Sequence, residues 1–117
     1  MGKVTIILNE GPTNMRTWNG MRIAAGLVGV DMEVELFLLD TAVYSAKKGQ
    51  CQPDGLKELN INKKIEALMK IGIKVNACLT CITGAGLTKE ELIEGLNITN
   101  LNDLAKSIKT SKQVMVF

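Results

Sequence analysis

Short apolar runs alternate with segments of helical periodicity along the chain, and this alternation limits the folds that it can adopt. The run KVTIILN (3–9) is β-branched and nearly continuous, which is typical of a strand buried on both faces. EVELFLL (33–39), IKVNACL (73–79) and QVMVF (113–117) are predicted to form further strands, and LNI (96–98) a short one. Because strands that alternate with helices need crossover connections, we predict an α/β fold with a parallel sheet and helices on both faces.

Between these runs, apolar residues recur at spacings of three and four, which predicts helices with one buried face. A further helix is predicted to start at Thr88, because Thr88 and Glu91 have the spacing of a capping box. The predicted inward positions are Trp18, Met21, Ala25 and Val28 in the first helix, Ile61, Ile65 and Leu68 in the second, and Leu101, Leu104, Ala105 and Ile108 in the last. With 117 residues and no internal break, we predict one domain over residues 1–117.

Charge and composition argue against several classes of protein. The formal net charge is only +2, the lysines are dispersed and aromatic residues make up 3%, so a nucleic-acid partner is not expected. No apolar run approaches the roughly 18–20 residues of a membrane span. The three cysteines are an odd number, which disfavours a secreted disulfide framework. We therefore predict a cytoplasmic protein with reduced thiols and no membrane partner.

Polar residues follow three of the predicted strands at the points where those strands end. Asn9 and Glu10 follow the first strand, Asp40 and Thr41 the second, and residues 78–83 the third. Because the carboxyl ends of parallel strands meet at one edge of the sheet, we expect these residues to share a site there.

Within this group, Cys78 and Cys81 form a Cys-x-x-Cys pair in a chain that has no histidine. A closed zinc site needs four ligands and Cys–His catalysis needs a base, so neither is expected, and Cys51 alone supports only a weak claim to a site. Three roles stay open: a thiolate that carries sulfur, a dithiol redox pair, and buried cysteines that act as small apolar side chains. The backbone of Gly84 and Gly86 could supply N–H groups to a thiolate. Because ITGAG intervenes before the capping box, Cys78 is not predicted to be a helix N-cap.

Several motifs together resemble the DsrE/DsrF-like family, and more closely its YchN-like members. They are NEGP, LFLLDTAV, KKGQ, VNACLTCITGAGL, LIEGLNI and KQVMVF, and they extend over essentially the whole chain. The resemblance implies a three-layer α/β/α fold with about five strands, and assembly into trimers or hexamers. Family members include sulfur-relay subunits whose persulfide-forming cysteine follows the third strand, eight residues before a glycine. Cys78 and Gly86 match that spacing.

From the residues and the resemblance together, we predict a small sulfur carrier without cofactor or metal. Cys78 would accept persulfide sulfur, and Cys81 would either resolve the persulfide or protect the thiol as a disulfide. Partners would be sulfur-donor and sulfur-acceptor proteins and further copies of the chain. The alternatives are an assembly or ligand-binding module with structural cysteines, and a dithiol oxidoreductase. The residues predicted to line the site are Asn9, Glu10, Asp40, Thr41, Thr83, Gly84 and Gly86.

Overall fold

Five parallel strands form one sheet in the order β4-β3-β2-β1-β5. The computed structural model describes residues 2–50 and 59–117, so Cys51 lies outside the described residues. All five predicted strands are present within one or two residues of their predicted bounds. The strands are β1 (Lys3–Leu8), β2 (Glu33–Leu38), β3 (Lys74–Cys78), β4 (Asn97–Thr99) and β5 (Gln113–Val116).

Helices cover both faces of this sheet, which confirms the three-layer α/β/α fold. The chain passes from β1 to β4 in one direction across the sheet and then returns to place β5 on the far side of β1. Right-handed crossovers that run in opposite directions lie on opposite faces, so among the described helices only the one between β4 and β5 covers the second face. The helices are α1 (Met15–Gly29), α2 (Ile61–Lys70), α3 (Leu79–Gly84) and α4 (Leu101–Thr110), with 3₁₀ segments at Asp40–Ala46 and Lys89–Glu91.

Asparagine side chains begin three of the helices. Asn14 accepts a hydrogen bond from the Arg16 N–H at 2.8 Å, and Asn60 accepts one from the Lys63 N–H at 3.1 Å. Asn100 and Asp103 cap each other's backbone at the start of α4. In residues 2–50 and 59–117, no helix combines the length and the apolar character needed to cross a bilayer.

The two faces of the sheet differ in chemistry. The face under α1 and α2 is apolar and fully buried, with Leu36 and Val75 at its centre. The face under α4 has a smaller apolar cluster of Ile7, Phe37 and Leu104 beside buried polar groups. The polar groups hydrogen-bonded on that face are Thr5, Glu35, Asn76 and Ser107.

Two helix predictions were wrong in detail. Thr88 and Glu91 form the predicted capping box, but it opens only the 3₁₀ turn Lys89–Glu91. The chain then turns away because the Ile93 N–H donates to the Ala46 carbonyl at 2.8 Å, which ties this segment to the end of the first 3₁₀ segment.

In α4, only Leu104 of the four predicted inward residues is buried. Leu101 and Ile108 are 65% and 40% exposed, and Ala105 is also exposed. The helix is rotated because Ser107 faces the sheet, where its hydroxyl donates to Glu35 at 2.9 Å.

Candidate functional site

The carboxyl ends of β1, β2 and β3 are adjacent in the sheet, an order that the sequence did not predict. Hydrogen bonds join the loops that follow them: Thr41 Oγ1 donates to the Asn9 carbonyl at 3.2 Å, and the Asp40 N–H donates to Cys81 Sγ at 3.1 Å. Residues that follow three separate strands are therefore linked at one edge.

Cys78 ends β3 and is the N-cap residue of α3, so the prediction that it is not a helix N-cap was wrong. The sequence ITGAG reads as a turn, but its first three residues complete the short helix α3, which ends at Gly84. Cys81 is the third residue of this helix and lies one turn above Cys78. The two thiols of the pair are thus neighbours in the first helical turn.

The two cysteines differ sharply in exposure. Cys78 is only 4% exposed and lies at the carboxyl end of β3, where it pairs with Thr99 of β4. Cys81 is half-buried and packs against the edge of the main apolar core. Both are free thiols. A reagent in solution therefore meets the Cys81 sulfur first.

The backbone N–H of Asp40 forms a hydrogen bond with the Cys81 sulfur. The φ of Asp40, +50°, lies in the left-handed region, which few residues other than glycine, asparagine and aspartate adopt readily. The N–H of the same residue, just after the end of β2, donates to Cys81 Sγ. Backbone strain of this kind persists only where the surrounding structure enforces it, and it is concentrated at functional sites.

A cavity of about 340 Å³ opens beside Cys81. Four of its lining residues were named from the sequence and Thr80 lies in the predicted segment 78–83, whereas Tyr44 and Ala85 were not predicted. Tyr44 closes one side, since its hydroxyl donates to the Ala85 carbonyl at 3.0 Å. The 3₁₀ segment that carries Tyr44 gave no periodic signal that could have placed it there. The lining residues are Asp40, Thr41, Tyr44, Thr80, Cys81, Gly84 and Ala85.

Other predicted site residues lie at the same edge without lining the cavity. The carbonyl of Asn9 accepts from Thr41, and the carbonyl of Glu10 accepts from Thr17 Oγ1 at 2.6 Å. Thr83 is exposed on α3, and Gly86 follows the helix with φ +75°.

The glycine turn does not supply N–H groups to a cysteine, contrary to that prediction. The Ala85 N–H donates to the Cys81 carbonyl at 2.9 Å, and the Gly86 N–H donates to the Thr83 carbonyl at 3.0 Å. Both N–H groups donate to carbonyls at the C-terminal end of α3, so they are not available to a cysteine sulfur. The donor to sulfur comes instead from Asp40, on the neighbouring strand.

The electrostatic environment favours the protonated thiol at Cys81. Burial raises the pKa of Cys81, the Asp40 N–H lowers it in part, and the neighbouring Cys78 thiol and the Asp40 carboxylate raise it further. Within the described part of the chain, no lysine or arginine lines the cavity. Nor do the described residues bring three or more metal-ligating side chains together. The chemistry that this site offers is therefore that of two adjacent thiols.

Comparison with known proteins places the chain in a family. The sequence profile of the DsrE/DsrF-like family matches residues 2–117. Protein YchN of Escherichia coli is 30% identical over 120 residues, which cover 100% of both chains. Uncharacterized proteins of Methanocaldococcus jannaschii and Methanopyrus kandleri are 33% and 31% identical, over 98% and 97% of this chain and 99% and 93% of theirs.

Solved structures agree with these sequence matches. The crystal structure of the E. coli ychN protein superimposes with a TM-score of 0.89 at 28% identity, over 100% of both chains. A protein of unknown function from Methanobacterium thermoautotrophicum superimposes with a TM-score of 0.76 at 10% identity, again over 100% of both chains. The second likeness shows the fold alone.

Proposed function

The chain belongs to the DsrE/DsrF-like family, and from this membership and its paired thiols we propose that it is a small sulfur carrier. Persulfide sulfur is accepted from a donor, held on Cys78 and passed to an acceptor thiol. The observation that carries the proposal is a shielded cysteine next to a second thiol that reaches a cavity. A persulfide on a shielded sulfur is protected from reagents in solution, which a carrier requires between its two partners.

The transfer needs no oxidant and no cofactor. A cysteine thiolate attacks the outer sulfur of a donor persulfide, R–S–SH. The donor S–S bond breaks, R–S⁻ leaves and takes up a proton, and the carrier holds Cys–S–SH. An acceptor thiolate then repeats the same step on the carrier, whose cysteine is released unchanged. Exchange of this kind depends on the fraction of thiolate, so the raised pKa of Cys81 makes the transfer faster as pH rises toward that pKa.

The carrier proposal has three further parts that extend the family resemblance. The protein works in the reducing cytoplasm, where the free thiols stay reduced. It assembles with copies of itself into a trimer or hexamer. Its donor and acceptor are other proteins, which dock at the edge where β1, β2 and β3 end.

Intact mass spectrometry after exposure to a sulfane-sulfur donor tests the proposal. The protein is freed of donor and incubated with added thiol before measurement, so that only protected sulfur is counted. The unmodified protein and a Cys51→Ser control should each retain one sulfur atom, and Cys78→Ser should retain none. Retention by Cys78→Ser equal to that of the unmodified protein would reject Cys78 as the holder. If no form ever gains sulfur, the carrier function itself is rejected.

A dithiol redox role is the second candidate, because Cys78 and Cys81 are neighbours in one helical turn. Its signature in the same experiment is the loss of two hydrogen atoms, which requires both cysteines. Turnover of a disulfide substrate would then be needed to make the protein an oxidoreductase. Cysteines that stay unmodified in the native protein and react only after unfolding would favour an assembly module.

A further inference from the structure

Cys78 and Cys81 differ in exposure, and this difference implies the order in which they receive sulfur. The inference rests on the carrier function proposed above. We infer that sulfur reaches the protein through Cys81, which takes it from the donor at the cavity and passes it inward to Cys78. Cys81 is thereby a catalytic residue of loading, and Cys78 is the residue that stores the sulfur.

Access supports the first step. A donor sulfur must approach the attacking thiolate directly, and Cys78 is only 4% exposed. Cys81 lines a cavity of about 340 Å³, which is large enough to admit a small persulfide. The residues around it are held in place, because Tyr44 is hydrogen-bonded to Ala85 across the cavity.

The Asp40 N–H supports the same assignment. It donates to Cys81 Sγ at 3.1 Å, so it stabilises negative charge on that sulfur both when it attacks and when it leaves. In the described structure, the side chain of Cys78 accepts no capping hydrogen bond from the backbone of α3, although Cys78 is the N-cap of that helix. The backbone therefore supplies a hydrogen bond to the sulfur of Cys81, the second cysteine of the motif.

The second step follows from the adjacency of the thiols. The Cys81 thiolate first attacks the outer sulfur of the donor and releases R–S⁻, which forms Cys81–S–SH. The Cys78 thiolate then attacks the outer sulfur of this persulfide, and Cys81 leaves as the thiolate, so that Cys78–S–SH remains. One S–S bond breaks and one forms in each step, and there is no net oxidation.

Loading rates in a Cys51→Ser background test this order. The donor is cysteamine persulfide, whose ammonium group suits a cavity that contains Asp40 and, among the described residues, no cation. Cys81→Ser should load about tenfold or more slowly, because Cys78 then reacts only when the structure opens locally. Cys78→Ser should still gain sulfur on Cys81 but lose it to added thiol sooner than its parent. Loading of Cys81→Ser at the parent rate would overturn the inference, whereas absence of loading in every form would reject the carrier function.

A second measurement is independent of how the serine variants fold. Brief treatment of the native Cys51→Ser protein with iodoacetamide, followed by fragment mass spectrometry, locates the thiol that reacts first. The label should appear on Cys81 well before Cys78. Equal labelling, or labelling of Cys78 first, would contradict the role of Cys81.

Discussion

Replacing Gly20 with alanine tests how tightly α1 packs against the end of β1, where the site begins. A Cβ built on Gly20 lies well inside van der Waals contact with Leu8 Cδ2, and 3.1 Å from Phe117 Cδ1. Leu8 is fully buried and the last residue of β1, so it has little room to change rotamer. Gly26 lies on the same helix, and a Cβ there would meet nothing within 4 Å.

The expected free energies follow from these two environments. Alanine is preferred over glycine inside a helix by about 1 kcal/mol, and this gain applies at both positions. Overpacking a dense core costs about 1–3 kcal/mol, and the severity of the contact with Leu8 places Gly20→Ala near the upper end. The net result is a loss of about 1–2 kcal/mol for Gly20→Ala and a gain of up to about 1 kcal/mol for Gly26→Ala.

Urea denaturation of both variants beside the unmodified protein measures these changes. The two midpoints should move in opposite directions, with unchanged slopes, and thermal midpoints should differ by several degrees. If Gly20→Ala were as stable as the unmodified protein, or more stable, α1 could not pack on Leu8 as the structure shows. If Gly26→Ala also lost stability, the assumed gain in helix propensity would be wrong.

Three further predictions address charge and assembly. Burial raises the pKa of Glu35, but hydrogen bonds from Lys3 and Ser107 lower it more, so its net pKa lies below the ordinary value. Glu35→Gln should lose about 1–2 kcal/mol at pH 7, and urea titrations should show this difference shrinking as pH falls through the folded pKa. Asp40→Asn should lower the pKa of Cys81 and speed its alkylation at pH 8, whereas Asp31→Asn, at the other left-handed aspartate, should not. Ile108→Asp on the exposed apolar side of α4 should reduce the mass measured by light scattering, and Asn102→Asp on the same helix should not; a monomeric parent would reject assembly.

The sheet could be predicted from the sequence because each strand carries its own local signal. KVTIILN is nearly continuous in apolar residues, EVELFLL ends in an apolar run after its two glutamates, and the parallel arrangement followed from the helices between them. The rotation of α4 could not be predicted in this way. Its hydrophobic period points to Leu101 and Ile108, but the face of the sheet beneath it carries Thr5 and Glu35, so Ser107 faces inward instead.

The sequence predicted the edge of the sheet at which the cavity lies, but only some of the residues that line it. Strand ends placed Asp40, Thr41 and Cys81 together, since the edge of a parallel sheet is a general place for chemistry. Tyr44 was missed because a 3₁₀ segment has no extended periodicity. The short helix α3 was missed because two glycines within three residues are usual in turns, although here Gly84 ends a helix that β3 had already positioned.

The spacing of the motif alone could not show which of the two cysteines partners can reach. A Cys-x-x-Cys motif says that two sulfurs lie near one another, and the match to the family spacing points to the first of them. Their surroundings depend on other elements of the fold: Cys78 pairs with Thr99 of β4, while the Asp40 N–H donates to Cys81 beside the cavity. A carrier needs one thiol that partners can reach and one position where sulfur is safe. In this chain the two requirements fall on different residues, so a test that follows only Cys78 would miss the step that controls loading.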